Sequence, residues 1–144
     1  MKAVVTKRAR AIIQECLLTD TNYFKFLHPE CGDLKKVVNY TNSLVKSGCT
    51  FYEVVSDGDR SMGYFIINKN GNQHTLIEFF LNSHLRLKEI TKDFWELIES
   101  KLNNSYLCSI PSKNANAVRF LEKKGLKLKD KKSIGNQVFY LYQR

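Results

Sequence analysis

The apolar positions along this 144-residue chain change their period several times, and each change marks a boundary between elements. Ile12, Ile13, Cys16 and Leu17 fall on one face of a helix expected over residues 7–18, with a short strand expected over 2–6. Residues 19–32, which include Pro29 and Gly32, read as a loop. Asp33 is then placed to cap a second helix, in which Leu34, Val37, Val38, Thr41, Leu44 and Val45 recur at helical spacing. Gly48 suits the left-handed stop of that helix. From Thr50 the pattern alternates, giving strands at Thr50–Val55, 61–68 and Gln73–Leu81. Asp57-Gly58-Asp59 joins the first two, and Asn70-Gly71 is a hairpin signal ahead of the third. Helical spacing returns over 87–102 through Ile90, Phe94, Leu97, Ile98 and Leu102. A strand at 106–110 ends at Pro111, and a short helix at 114–124 buries Ala117, Phe120 and Leu121 before Gly125 stops it. Strands at 126–130 and 137–142 close the chain around a turn containing Gly135.

The third strand, the helix over 87–102 and the next strand make one parallel step inside an otherwise antiparallel order. The expected architecture is therefore α+β, a mixed and mostly antiparallel sheet flanked by helices. With no internal repeat, no low-complexity linker and only Pro29 and Pro111 as prolines, residues 1–144 are read as a single domain.

A hydrophobic fraction of 43% with 12% aromatics excludes a disordered tail or a fibrous repeat. No apolar run approaches the roughly 20 residues of a spanning helix, and Lys2, Lys7, Arg8 and Arg10 precede no apolar leader. The expectation is a soluble, unexported protein without a membrane partner, resident in a cytoplasm. Cys16, Cys31, Cys49 and Cys108 form no C-x-x-C pair, and His28, His74 and His84 stand at no ligand spacing from them. They read as reduced thiols, and no metal is expected. The net charge of +9, from 23 Lys and Arg against 14 Asp and Glu, favours an anionic partner. That partner can be nucleic acid, a protein or a phosphorylated cofactor. Lys127 and Lys129 alternate with Leu126 and Leu128 as the wet face of a strand does, and Tyr140 and Tyr142 fit a strand. No recognised motif accompanies them, which argues against nucleic acid.

The segment Asn114-Ala115-Asn116-Ala117-Val118-Arg119-Phe120-Leu121-Glu122-Lys123-Lys124-Gly125-Leu126 is similar to the N-x-x-A-x-x-x-Y-x-x-x-G-F segment of GCN5-related N-acetyltransferases (GNAT). Asn114, Ala117 and Gly125 match it. The order of elements from Thr50 onward also resembles that superfamily, and residues 81–99 can be laid over its strand, R-x-x-G-x-G/A turn and following helix, with Arg86 on the first motif position. The resemblance implies the acyl-CoA N-acyltransferase fold, with acetyl-CoA lying where two parallel strands diverge and its pyrophosphate over the start of the helix. A helix start is an anion site on general grounds, because its first amides lack partners and the helix dipole is positive there. Leu81, Arg86, Lys88, Glu89, Thr91 and Asn114 are the candidate cofactor-binding positions on this basis. The same residues can equally be a solvated helix start.

Two departures bear on activity. Glu89 stands where the family places a glycine beside the phosphates, and a carboxylate there is unfavourable unless it turns into solvent. Leu121 stands where the family has the tyrosine that protonates the departing thiolate, and neither Leu121 nor Phe120 can donate a proton. For the base that accepts the amine's proton, Glu78 is the candidate, on a strand face expected to hold Leu76 and Phe80 as well. Alternatively Glu78 meets a lysine or lies at an exposed margin. His74, beside the hairpin, is the weaker candidate. The resemblance implies an acetyl-CoA-dependent N-acetyltransferase that transfers directly to an amine. The departures leave open a catalytically degenerate GNAT-like module that binds a protein assembly partner. The C-terminal half also resembles acetyltransferase-like internal virion proteins of short-tailed phages, which would place the chain in a virion or host cytoplasm. The acceptor surface is expected from the N-terminal helices and residues 19–32.

Overall fold

The computed structural model describes residues 1–29 and 31–144. Among them the strands form one seven-stranded sheet in the order β1-β2-β3-β4-β5-β7-β6. The edge strand β1 is Lys2–Val5, and the meander is β2 (Thr50–Val55), β3 (Ser61–Asn70) and β4 (Gln73–Leu81). Then come β5 (Leu107–Pro111), β6 (Lys127–Ile134) and β7 (Gln137–Gln143). Every neighbouring pair is antiparallel except β4 with β5.

The two faces of the sheet carry separate apolar cores. On one face, Phe65, Ile67, Leu76, Cys108, Ile110 and Tyr142 meet α4 (Lys88–Glu99) and α5 (Ala115–Lys123) through Phe94, Trp95, Ile98, Ala117 and Leu121. On the other, Phe51, Tyr64, Ile66 and Phe80 meet α1 (Ala9–Thr19), α2 (Tyr23–Leu27) and α3 (Leu34–Lys46). Apolar residues at helical spacing on the helices and at alternate positions on the strands make this three-layer arrangement the way to bury both faces.

Local chemistry sets most boundaries. The Asp33 carboxylate accepts from the Lys36 amide at 2.8 Å and starts α3. Gly48 and Gly125, with φ of 107° and 88°, follow the ends of α3 and α5 in the left-handed region. Gly63 answers a different need: a Cβ there would lie 2.0 Å from the Phe80 carbonyl oxygen, so only glycine allows β3 to approach β4 at that point.

Several expected boundaries move. The first helix starts at Ala9 rather than residue 7, and α4 spans Lys88–Glu99 rather than 87–102, after a single 3-10 turn at Ser83–Leu85. β6 runs on to Ile134 because its lysines stay in solvent along its whole length while pairing with β7 continues to Gln137. Pro111 is the last residue of β5 rather than the residue after it. The segment expected to be a loop contains α2, which packs Tyr23 into the core. Residue 30 of that segment lies outside the described residues.

Candidate active site

The parallel pair that the topology requires is barely a pair. β4 and β5 are matched only at Thr75 with Leu107 and Leu76 with Cys108. Beyond Leu76 the strands separate, although β4 stays paired to β3 as far as Leu81 and β5 stays paired to β7 as far as Pro111. Among the described residues, the facing edges of β4 beyond Leu76 and β5 beyond Cys108 have no strand partner, and they border a slot in which an extended ligand bearing amides can take up the strand hydrogen bonds.

A bulge in β4 coincides with the divergence. Ile66 of β3 faces Glu78 and Ile67 faces Leu76, so Ile77 is the extra residue. The alternation expected for this strand is broken at that point. Leu76 points into the core beneath α4 and α5, whereas Ile77, Glu78's neighbour Tyr64, and Phe80 belong to the opposite core. Glu78 therefore shares a face with Phe80 but not with Leu76, a correction to the simple period-two reading.

Glu78 is almost fully buried and does not meet a lysine. The Tyr64 hydroxyl donates to its Oε2, and the Tyr64 and Tyr23 hydroxyls are 2.5 Å apart. A phenol has one proton, and with Tyr64's directed at Glu78, Tyr23 is the donor to Tyr64. Burial first, and the Glu78 charge second, push both phenols well above their ordinary value, so neither ionises near neutrality. The other oxygen, Oε1, lies 2.8 Å from His28 Nε2. That contact is off the axis a hydrogen bond needs, and the buried Nε2 has no aligned partner among the described residues. Sequence reasoning missed His28 because it lies just past the end of α2, a five-residue helix too short to leave a periodic signal. The aromatic run Tyr23, Phe24 and Phe26 was the available clue.

The slot opens into cavities on its two sides, which share Leu27, Phe79 and Asn114. The larger, about 500 Å³, collects Leu81, Arg86, Thr91 and Asn114 from the candidate positions, together with Tyr23 and Phe120. Arg86 is held in place: its Nε donates to the Leu81 carbonyl at 2.8 Å, its guanidinium pairs with Asp20 at 3.1 Å, and it lies over the Phe80 ring. Lys88 and Glu89 occupy the exposed first turn of α4 and do not line this cavity. The capping residue Leu87 supplies no side-chain acceptor, and the first amide bonded back to it is that of Thr91, at 2.8 Å. The amides of Lys88, Glu89 and Ile90 are thus the ones open to an anion, one residue later and fewer than the 87–91 expected. Asn114 caps α5, its Oδ1 accepting from the Ala117 amide at 3.3 Å.

Leu121 is fully buried beneath the sheet, so the residue aligned with the family's tyrosine faces the core, and the half-buried Phe120 faces the cleft instead. His74 accepts from the Asn103 amide at 3.0 Å, at the hairpin end of β4, and lines neither cavity. Among the described residues no group of three or more His, Cys, Asp or Glu side chains could hold a metal ion, and no helix is long and apolar enough to cross a membrane.

The fold defined by this sheet, with its splayed parallel pair and flanking helices, is that of the GNAT acetyltransferases. A probable GNAT acetyltransferase from Chromobacterium violaceum superposes with a TM-score of 0.76 at 12% identity, covering 100% of this chain and 83% of that one. An acetyltransferase from Thermus thermophilus gives 0.74 at 14% identity, covering 100% and 97%. Spermidine N-acetyltransferase from Vibrio cholerae, solved with CoA and spermine, gives 0.64 at 9% identity, covering 99% and 94%. No protein-family model matches the sequence, and neither does any curated protein. At these identities the likeness is one of fold.

Proposed function

We propose that the protein is an acetyl-CoA-dependent N-acetyltransferase that transfers directly to a primary amine, with Glu78 as the general base. The observation that carries this reading is a buried carboxylate at the point where the two parallel strands part. One of its oxygens is held by Tyr64, the other lies 2.8 Å from His28 Nε2, and Glu78 and His28 both line the smaller cavity. The slot edges and the amides of Lys88, Glu89 and Ile90 suit the pantetheine amides and the pyrophosphate of acetyl-CoA, with Arg86 and Asn114 at its sides. The exposed Glu89 side chain can turn into solvent, which removes the objection that its charge raises. In the reaction the amine nitrogen bonds to the thioester carbonyl carbon, the C–S bond breaks, and the amine's surplus proton passes to Glu78 Oε1. The thiolate takes a proton from water, since Phe120 and Leu121 have none to give.

Release of CoA thiol from acetyl-CoA in the presence of amines tests this. The wild type is expected to turn over, and Glu78→Gln to lose about 100-fold or more in kcat, the usual worth of a general base. The alternative, a degenerate module that binds an assembly partner in a virion or elsewhere, is favoured by the lack of a proton donor at Phe120. A folded protein that neither binds acetyl-CoA nor releases CoA would be that module. A cytoplasmic setting belongs to the enzymatic reading.

A further inference from the structure

One edge of the sheet is basic along its length. Residues 113–144 carry nine Lys and Arg against two Asp and Glu, which is +7 of the chain's total of +9. Half of the eight residues of β6 are lysines, Lys127, Lys129, Lys131 and Lys132, and every residue of the strand is exposed. β6 is also the last strand in the sheet order, with β7 as its one strand neighbour among the described residues. We propose that β6 is a docking edge for an acidic segment of a partner protein, which adds to the sheet as a further strand. The inference stands apart from the acetyltransferase reading, since an enzyme and a binding module alike would present this edge.

The strand register shows what the segment must carry. Directly paired residues of antiparallel strands point to the same face. Lys131 is paired with Tyr140, which packs against the core beneath α4 and α5, and its ammonium lies 5.4 Å from the centre of that ring. Lys132 is paired with Phe139 and so points to the other face. Lysines therefore stand on both sides of the open backbone edge. An added polypeptide strand presents its side chains alternately to the two faces and its amides and carbonyls to the edge. Carboxylates on that strand meet the lysines while its backbone takes up the strand hydrogen bonds. A nucleic acid brings the charge but no backbone amides to pair with the edge, so the partner is a polypeptide. A second copy of this chain does not fit by either edge, because β1 carries no acid and β6 repels itself. Charge also guards strand edges against aggregation, and a lysine or two is enough for that. The opposite edge carries Lys2 alone, with Val4 and Val5 41% and 66% exposed, so guarding does not account for the density of lysine on β6.

The test is titration of the full chain, without acetyl-CoA, against a fluorescent peptide of alternating Glu and Thr long enough to span β6. Three further probes separate charge from strand pairing. They are the same peptide with Gln for Glu, a Glu and Pro peptide that keeps the charge but does not pair as a strand, and single-stranded DNA of matching charge. The expected result is saturable binding of the Glu and Thr peptide, tighter than that of each other probe and weakened by added salt. Exposed ion pairs are each worth a few-fold, so the double variant Lys127→Gln, Lys132→Gln should weaken this binding by about tenfold. Both side chains are exposed, so the fold tolerates the change. Amide exchange in the wild type gives a readout that needs no variant, and it should slow within β6 when the peptide is bound. Absence of saturable binding would mean that the lysines only keep the edge in solvent, and it overturns the inference. Equal or tighter binding of any other probe, wild-type affinity in the folded double variant, or protection confined to residues outside β6 overturns it as well. Acetyl-CoA turnover is measured separately, and its failure leaves this result standing.

Discussion

Replacing Tyr64 by phenylalanine isolates the arrangement on which the site depends. The ring is fully buried and stacked on Phe51 with centroids 5.0 Å apart, so Tyr64→Phe keeps the packing and removes one oxygen. Two groups lose their partner: Glu78 Oε2 loses its hydroxyl donor, and the Tyr23 hydroxyl loses its acceptor. A hydrogen bond to a charged group contributes roughly 1.5–3 kcal/mol, and a stranded buried hydroxyl costs about 1–3 kcal/mol. The loss expected is therefore about 3 kcal/mol. Tyr23→Phe leaves the Tyr64 contact with Glu78 intact and should cost only about 1 kcal/mol. In the double variant no hydroxyl is stranded, so its loss should fall short of the sum of the singles by about 1 kcal/mol. Urea denaturation with unchanged slopes provides the measurement. A Tyr64→Phe variant within about 0.5 kcal/mol of wild type, or strict additivity, would show that the relay from Tyr23 through Tyr64 to Glu78 is not formed.

Gly63→Ala should destabilise the protein by about 2–4 kcal/mol in urea, because its Cβ collides with the Phe80 carbonyl backbone rather than with a side chain that can move. Phe120→Tyr should place a proton donor in the cleft and raise kcat if thiolate protonation limits the rate. Leu121→Tyr should instead overpack the core and cost about 1–3 kcal/mol with no gain in rate. On the alkaline side, Tyr23 and Tyr64 hold their protons more tightly when folded than the ordinary value of 10.0, so the stability this represents is complete below pH 10.0 and is lost as pH rises above it. Their tyrosinate absorbance should therefore appear together with loss of the circular dichroism signal. Full tyrosinate absorbance from a chain with native dichroism would contradict the burial described.

The fold was legible where one signal dominated. Asp33 and Gly48 frame α3, Asn70-Gly71 turns β3 into β4, and the Asn114 to Gly125 segment forms the short helix it was read as. The site was less so, because its geometry comes from exceptions to those signals. The bulge at Ile77 breaks the alternation that would put Glu78 beside Leu76, and nothing local in the strand marks it, since it is set by pairing with β3. Leu121 has no proton to donate, and only the packing of α5 shows that Phe120 is the residue facing the cleft. His28 reaches Glu78 from 50 residues away in sequence, a proximity that no periodicity encodes, whereas Tyr64 reaches it across the β3–β4 hairpin, whose register the bulge shifts by one residue. Arg86 was expected to offer charge to a cofactor, and the structure adds its pairing with Asp20, which an arginine with further donors can retain while facing a phosphate.

Amide hydrogen exchange, measured residue by residue with and without acetyl-CoA, reads the slot most directly. Slowed exchange is expected at residues 77–81 on the open edge of β4 and at Lys88, Glu89 and Ile90. Unchanged exchange at saturating acetyl-CoA, or protection confined to a surface away from those two stretches, would contradict it.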